Sequence, residues 1–162
     1  MKIAKLKIFD TLSDSEKELD ASKKIRIYLC GVTVYDEAHI GHARTIIVFD
    51  VLRRFLESKE NTVEFIQNFT DVDEKILKKS NVYLKSLCFI TSMYSFKLYS
   101  DYFLLSTLRP IFEPFVTGFI YYIQYCVKVL IKSGFAYKTI NEDIYFKVNF
   151  LENYGLLSFQ KN

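Results

Sequence analysis

Only two histidines occur in the 162-residue chain, and they lie three apart in His39-Ile40-Gly41-His42. Residues at that spacing share one face of a helix, so both imidazoles can address a single ligand. The start of a helix also offers unpaired backbone N–H groups and the positive end of its dipole, a ready site for phosphate. Gly41, without a Cβ, lets a flat or bulky ligand approach the backbone closely. Together these residues describe an anion site with two imidazole donors. Two surface histidines near a helix start that bind nothing are the simpler alternative.

The bulk composition narrows the setting. Half of the residues are hydrophobic and 17% are aromatic, which predicts a packed fold and excludes intrinsic disorder. Twenty-two basic residues stand against nineteen acidic ones, for a net charge of +3, a balance that does not argue for nucleic acid by itself. Cys30, Cys88 and Cys126 are an odd number set far apart, so neither a disulfide framework nor a close-spaced zinc site is suggested. The first ten residues, MKIAKLKIFD, mix charge into their apolar positions and do not form a secretory leader. The most apolar window, 115–131, is broken by Thr117, Gln124 and Lys128 and falls short of the ~20 apolar residues that a spanning helix needs. A cytoplasmic location and no membrane contact are expected.

The elements that must position the histidines follow from periodicity. Residues 24–30 alternate Ile25, Ile27 and Leu29 against polar neighbours, the period of a strand that ends at Gly31. A turn over 31–36 leads to a helix over 39–56, with Ile40, Ile47, Val51 and Phe55 as its apolar face. Residues 62–69 form a second strand with Val63, Phe65 and Gln67 on one face. Strand, helix and strand with short connections make a βαβ unit with parallel strands, hence a Rossmann-like α/β fold. A helix is expected from about Asp71, capped by Thr70 or Asp71, with Lys75, Lys78 and Lys79 as a solvated face. The aromatic stretch 80–108 reads as helical, and Pro110 and Pro114 punctuate the chain after it. A helix over 117–132 carries Ile120, Ile123, Val127, Leu130 and Ile131 on one stripe and ends at a capping Gly134. Residues 141–148 alternate as a strand whose partner the pattern does not identify.

Taken as a block, Cys30-Gly31-Val32-Thr33-Val34-Tyr35-Asp36-Glu37-Ala38-His39-Ile40-Gly41-His42-Ala43-Arg44 resembles the first motif of the class I aminoacyl-tRNA synthetases. Their HIGH tetrapeptide stands here letter for letter, and the preceding Cys-Gly-x-Thr-Val-Tyr-Asp is similar to that of the cysteinyl-tRNA synthetases. Downstream, Asn68-Phe69-Thr70-Asp71-Val72-Asp73-Glu74-Lys75-Ile76 looks like that family's Asn-x-Thr-Asp-x-Asp-Asp-Lys-Ile segment. Fainter likeness continues through Arg109-Pro110, Glu113-Pro114 and the run 133–137 to Asn153-Tyr154-Gly155.

The resemblance implies a ligase that, with ATP and magnesium, activates L-cysteine as an adenylate and passes it to tRNA(Cys). It implies that His39 and His42 act catalytically on the ATP phosphates, with Ile40 and Gly41 completing the ATP-binding tetrapeptide. Gly31, Thr33 and Thr70 are the implied contacts to the amino acid or adenylate. Cys30 is the implied member of a zinc site whose other ligands in the family, a cysteine, a histidine and a glutamate, lie further along the fold. Neither those ligands nor the family's KMSKS loop occurs in these residues, so the chain is expected to carry the front of the active site and to be inactive alone. Residues 1–110 are expected to form the first half of the nucleotide-binding domain, and 111–162 a linking helix and the start of a connective insertion. An incomplete sheet of this kind exposes apolar surface through which the chain can associate. Two other readings stay open: a ligase that joins cysteine to a small-molecule amine, and a non-catalytic interaction module or decayed fragment.

Overall fold

The structure, a computed structural model, describes residues 6–19 and 24–158; the leader expectation therefore falls partly outside the described residues. The chain divides into two compact units, Ala21–Ile120 and Met1–Asp20 with Tyr121–Asn162. Hairpin strands β1 (Lys7–Asp10) and β2 (Ser15–Glu18) belong to the second unit, β3 (Ile25–Thr33), α1 (Ile40–Glu57), β4 (Val63–Thr70), α2 (Glu74–Tyr83) and α3 (Leu87–Leu104) to the first. The second unit resumes with α4 (Ile120–Lys132), β5 (Ala136–Lys138) and β6 (Ile144–Phe146).

In the first unit β3 and β4 pair in parallel, from Ile25 opposite Val63 to Thr33 opposite Thr70, with α1 as the crossover. This is the expected α/β unit. β4 alternates cleanly: Val63, Phe65, Gln67 and Phe69 are buried, and Phe65 and Phe69 are each 1% exposed. Full burial of one such ring contributes roughly 1.5–3 kcal/mol. β4 is no edge strand, because residues 111–115 run parallel along its other side. Ile111 N–H donates to Phe65 C=O at 2.8 Å, and Phe69 N–H donates to Pro114 C=O at 2.8 Å. The two prolines that punctuate this segment in sequence leave the bonds of its other residues intact.

α3 supplies the layer over this sheet. Ile90, Tyr94, Leu98 and Tyr102 recur every fourth residue and are all buried in one cluster with Phe65, Phe69, Ile46 and Ile76. α1 presents a different face from the expected one: Ile46, Asp50 and Leu56 are buried, whereas Ile40, Ile47, Val51 and Phe55 are exposed. Apolar residues occur on both sides of this helix, and a buried carboxylate decides between them. Asp50 Oδ1 accepts from Leu108 N–H at 2.8 Å and Oδ2 from Arg54 Nε at 2.7 Å. Arg54 also donates to Ser106 C=O at 2.9 Å, and Arg53 to Arg109 C=O at 2.8 Å. These bonds tie the C-terminal half of α1 to the segment that leads into the third strand pass. The cap of α2 is Asp73, whose side chain accepts from Lys75 N–H at 2.8 Å, rather than Thr70 or Asp71. Asp71 instead accepts from Thr117 N–H at 3.0 Å and from its hydroxyl.

In the second unit β5 is the partner of β6, pairing antiparallel with Ala136 opposite Phe146. Gly134 adopts φ +81, the left-handed position a helix-ending glycine favours. No residue of α4 is buried, and Tyr121, Tyr122 and Tyr125 are the most open of its large side chains. Among the described residues no helix is long and apolar enough to cross a membrane.

The Asp50 network yields a first prediction. Asp50→Ala leaves Arg54 Nε and Leu108 N–H without their acceptor and is expected to destabilise the protein by about 2–3 kcal/mol, less than for a fully buried pair because Arg54 is half-exposed and keeps its bond to Ser106. Urea unfolding checks this; a midpoint equal to the parent's contradicts it.

Candidate functional site

The site starts from a fault in the β3–β4 ladder. Leu29 lies opposite Gln67 and Val32 opposite Phe69, so Cys30 and Gly31 together face the single residue Asn68. Two residues against one is a β-bulge, which bends the strand and re-aims its side chains. Asn68 holds it: its Oδ1 accepts from Gly31 N–H at 2.8 Å and from Tyr28 O–H at 2.9 Å, and its Nδ2 donates to Thr70 Oγ1 at 3.4 Å. A Cβ at residue 31 would stand 1.5 Å from the Asn68 carbonyl oxygen, so only glycine fits. Rather than ending at Gly31, the strand passes through it to Thr33.

A short turn then delivers the histidines. His39 is the N-cap of α1 rather than its first residue, with Nδ1 accepting from Gly41 N–H at 3.1 Å. His42, at the third helical position, returns the bond: its Nδ1 accepts from His39 N–H at 3.1 Å. This is a capping box built from two imidazoles in place of Ser/Thr and Glu. With both Nδ1 atoms accepting, each neutral ring carries its proton on Nε2. Two Nε2–H donors therefore stand together, with ring centroids 4.0 Å apart. Desolvation, then the neighbouring His39, lowers the His42 pKa below the ordinary histidine value, which keeps that ring neutral near pH 7.

These elements enclose a cleft of about 460 Å³. Its walls bring together Cys30, Gly31, Thr33, His39 and His42, five of the eight residues singled out in the sequence. The other three lie elsewhere. Ile40 is 85% exposed and borders a separate, mainly apolar hollow beside Leu104 and Leu105. Gly41 contributes its N–H to the His39 cap, and Thr70 pairs with Thr33 across the sheet.

Gln67, Tyr102 and Lys75 also wall the cleft; sequence reasoning did not place them there. Gln67 is 3% exposed, and its Oε1 has no hydrogen-bond partner. Its alternation in β4 was the available signal, since a glutamine among Val63, Phe65 and Phe69 faces the core side. The three lysines of α2 do not share one solvated face. Lys78 pairs with Glu74 at 2.7 Å in solvent, but Lys79 bonds Asp36 at 3.0 Å and packs 4.3 Å from the Tyr94 ring centre.

A zinc ion needs at least three protein ligands with one position left for substrate. Cys30 is exposed, and no group of three His, Cys, Asp or Glu residues gathers among the described residues. The donors present here do not fit that ion by themselves, and none of the chemistry assigned to them passes through it.

Residues 16–162 match the family described as tRNA synthetases class I (C) catalytic domain. The chain is 40% identical over 155 residues to the cysteine–tRNA ligase of Buchnera aphidicola subsp. Cinara cedri, covering 94% of this chain and 33% of that protein. It is 40% identical over 157 residues to the cysteine–tRNA ligase of Vibrio atlanticus, covering 96% of this chain and 34% of that protein. The Hahella chejuensis cysteine–tRNA ligase is 38% identical over 158 residues, with the same coverage of 96% and 34%. The chain spans about a third of the length of the curated relatives it matches.

Two outcomes are expected at this site. Gly31→Ala forces the bulge apart and costs about 3 kcal/mol or more, at the upper end of overpacking penalties, measured by urea unfolding. The second concerns acid. A histidine whose pKa is lower folded than unfolded binds fewer protons when folded, so its stabilisation is present above about pH 6.5 and is lost as pH falls below it. The melting temperature should therefore drop between pH 7.5 and 5.5, and His42→Asn should flatten that slope; an unchanged slope in the variant refutes the assignment.

Proposed function

Because the chain belongs to the family of class I tRNA synthetase (C) catalytic domains, we propose that its cleft binds ATP for the activation of L-cysteine, the first half of the cysteine–tRNA ligase reaction. In that reaction a cysteine carboxylate oxygen bonds to the α-phosphorus, the bond from that phosphorus to the bridging oxygen breaks, and diphosphate leaves. The cysteinyl group then passes to the tRNA(Cys) terminus, releasing AMP.

The observation that carries this reading is the imidazole capping box. It sets two Nε2–H donors at the positive end of an 18-residue helix with no acidic residue in its first turn. Charge that builds on the α-phosphate oxygens meets donors already oriented, and the loss of one such donor costs roughly 3–4 kcal/mol of transition-state stabilisation in well-studied enzymes. The glycine bulge supports the amino-acid end of the same cleft. Gly31 and Thr33 bring backbone and a hydroxyl to its wall, and Cys30 stands beside them. Thr70, implied as a further contact, pairs with Thr33 and accepts from Asn68 behind that wall. The half-reaction with tRNA, and the zinc ion associated with the family, call on groups outside these residues.

The test separates binding from turnover. The 162-residue protein is expected to bind ATP with magnesium in calorimetric titration, and His39→Ala or His42→Ala to weaken that binding by about tenfold or more, the scale of a charge-assisted hydrogen bond. Cysteine-dependent ATP–diphosphate exchange by these residues alone is expected to be absent. Exchange that disappears in His39→Ala would show a complete activation site here; absence of ATP binding in the parent would overturn the reading.

A further inference from the structure

We propose that Lys75 is a phosphate-binding residue of the cleft, supplying an ammonium beside the two imidazole donors; this rests on the ATP reading above. α2 carries three lysines, and the structure disposes of two of them. Lys78 is paired with Glu74 in solvent, and Lys79 is held by Asp36 with its side chain 14% exposed. Lys75 is the one whose side chain walls the cleft. Among the described residues no carboxylate lies within ion-pair distance of it, and its ammonium rests 5.4 Å from the centre of the Tyr35 ring. An ammonium parked on an aromatic face keeps its charge and exchanges that weak contact for an anion at small cost.

The carboxylates that share the cleft do not cancel this charge. Asp36 and Glu37 both wall it, but Lys79 bonds the first and Lys97 the second, at 3.0 and 2.5 Å. The Asp36 carboxyl is held below its ordinary range, chiefly by the Lys79 bond, so it remains an ionised partner at neutral pH. With those pairs closed, Lys75 and the Nε2–H edges of the two capping imidazoles are the donors that the lining of this cleft leaves for an anion. A polyphosphate, with several charges spread over adjacent groups, is the ligand class that uses both. An amino-acid carboxylate alone needs only one.

The test uses the intact 162-residue protein with ATP, adenosine and tripolyphosphate, titrated with magnesium present. Lys75→Met is expected to weaken ATP and tripolyphosphate about tenfold and to leave adenosine unchanged, while Lys75→Arg stays close to the parent. Lys75→Gln serves in place of the methionine variant should that one aggregate. Equal ATP affinity in Lys75→Met overturns the proposal, as does a parallel loss for adenosine, which would show a structural effect. Tripolyphosphate bound by the parent and lost in Lys75→Met, with ATP bound by neither, supports Lys75 and sinks the ATP reading. A parent that binds neither phosphate overturns both.

Discussion

The site depends on one carboxamide. Asn68 sits opposite two residues of the neighbouring strand, and its Oδ1 takes the Gly31 N–H that the broken ladder would otherwise leave unpaired. Removing that acceptor orphans a backbone donor and releases the bulge, the feature that puts Cys30, Gly31 and Thr33 on one wall. The close approach of Gly31 to the Asn68 carbonyl explains why glycine is required there without any unusual backbone angle. Everything downstream, from the turn to the histidines, starts from where that bulge lets the strand end.

From the other side, α1 is anchored at both ends. The imidazole box closes its first turn, while Asp50, Arg53 and Arg54 bond it to the segment 106–109. That segment leads into residues 111–115, which hydrogen-bond along β4, the strand that carries Asn68 and Gln67. The cleft is thus framed by a closed circuit of strand, helix and return segment. A preorganised donor loses nothing to reorientation when charge develops beside it, and such a frame is the physical means of keeping it oriented.

Parts of this arrangement were legible in the sequence, for identifiable reasons. The alternation of Val63, Phe65 and Gln67 read as a strand because β4 buries that one face, Phe65 and Phe69 sharing a cluster with α3. The spacing of His39 and His42 read as one helical face because capping and third-position side chains do meet. The buried stripe of α1 did not read correctly, since its central member is Asp50 and a carboxylate counts as solvent-facing until its partners are known. The third strand pass was hidden by two prolines, whose missing N–H groups matter only on the side they would have bonded. Asp73 rather than Asp71 caps α2 because several acids crowd one turn and only tertiary contact with Thr117 decides among them. The bulge left no mark in hydrophobic pattern, and with it the cleft wall formed by Gln67 and Tyr102 stayed out of view.

The imidazole capping box binds two requirements into one set of atoms. In most helices the cap is a spare part: a serine can become an aspartate, and the residues that meet a ligand lie elsewhere. Here the nitrogens that close the first turn and the N–H groups offered to the cleft are opposite edges of the same rings. A change that spoils the ligand contact also frays the helix, and a change in helix register swings both donors away together. The two histidines therefore cannot drift independently of each other or of the fold, so binding at this cleft reports on the integrity of a helix whose far end lies seventeen residues away.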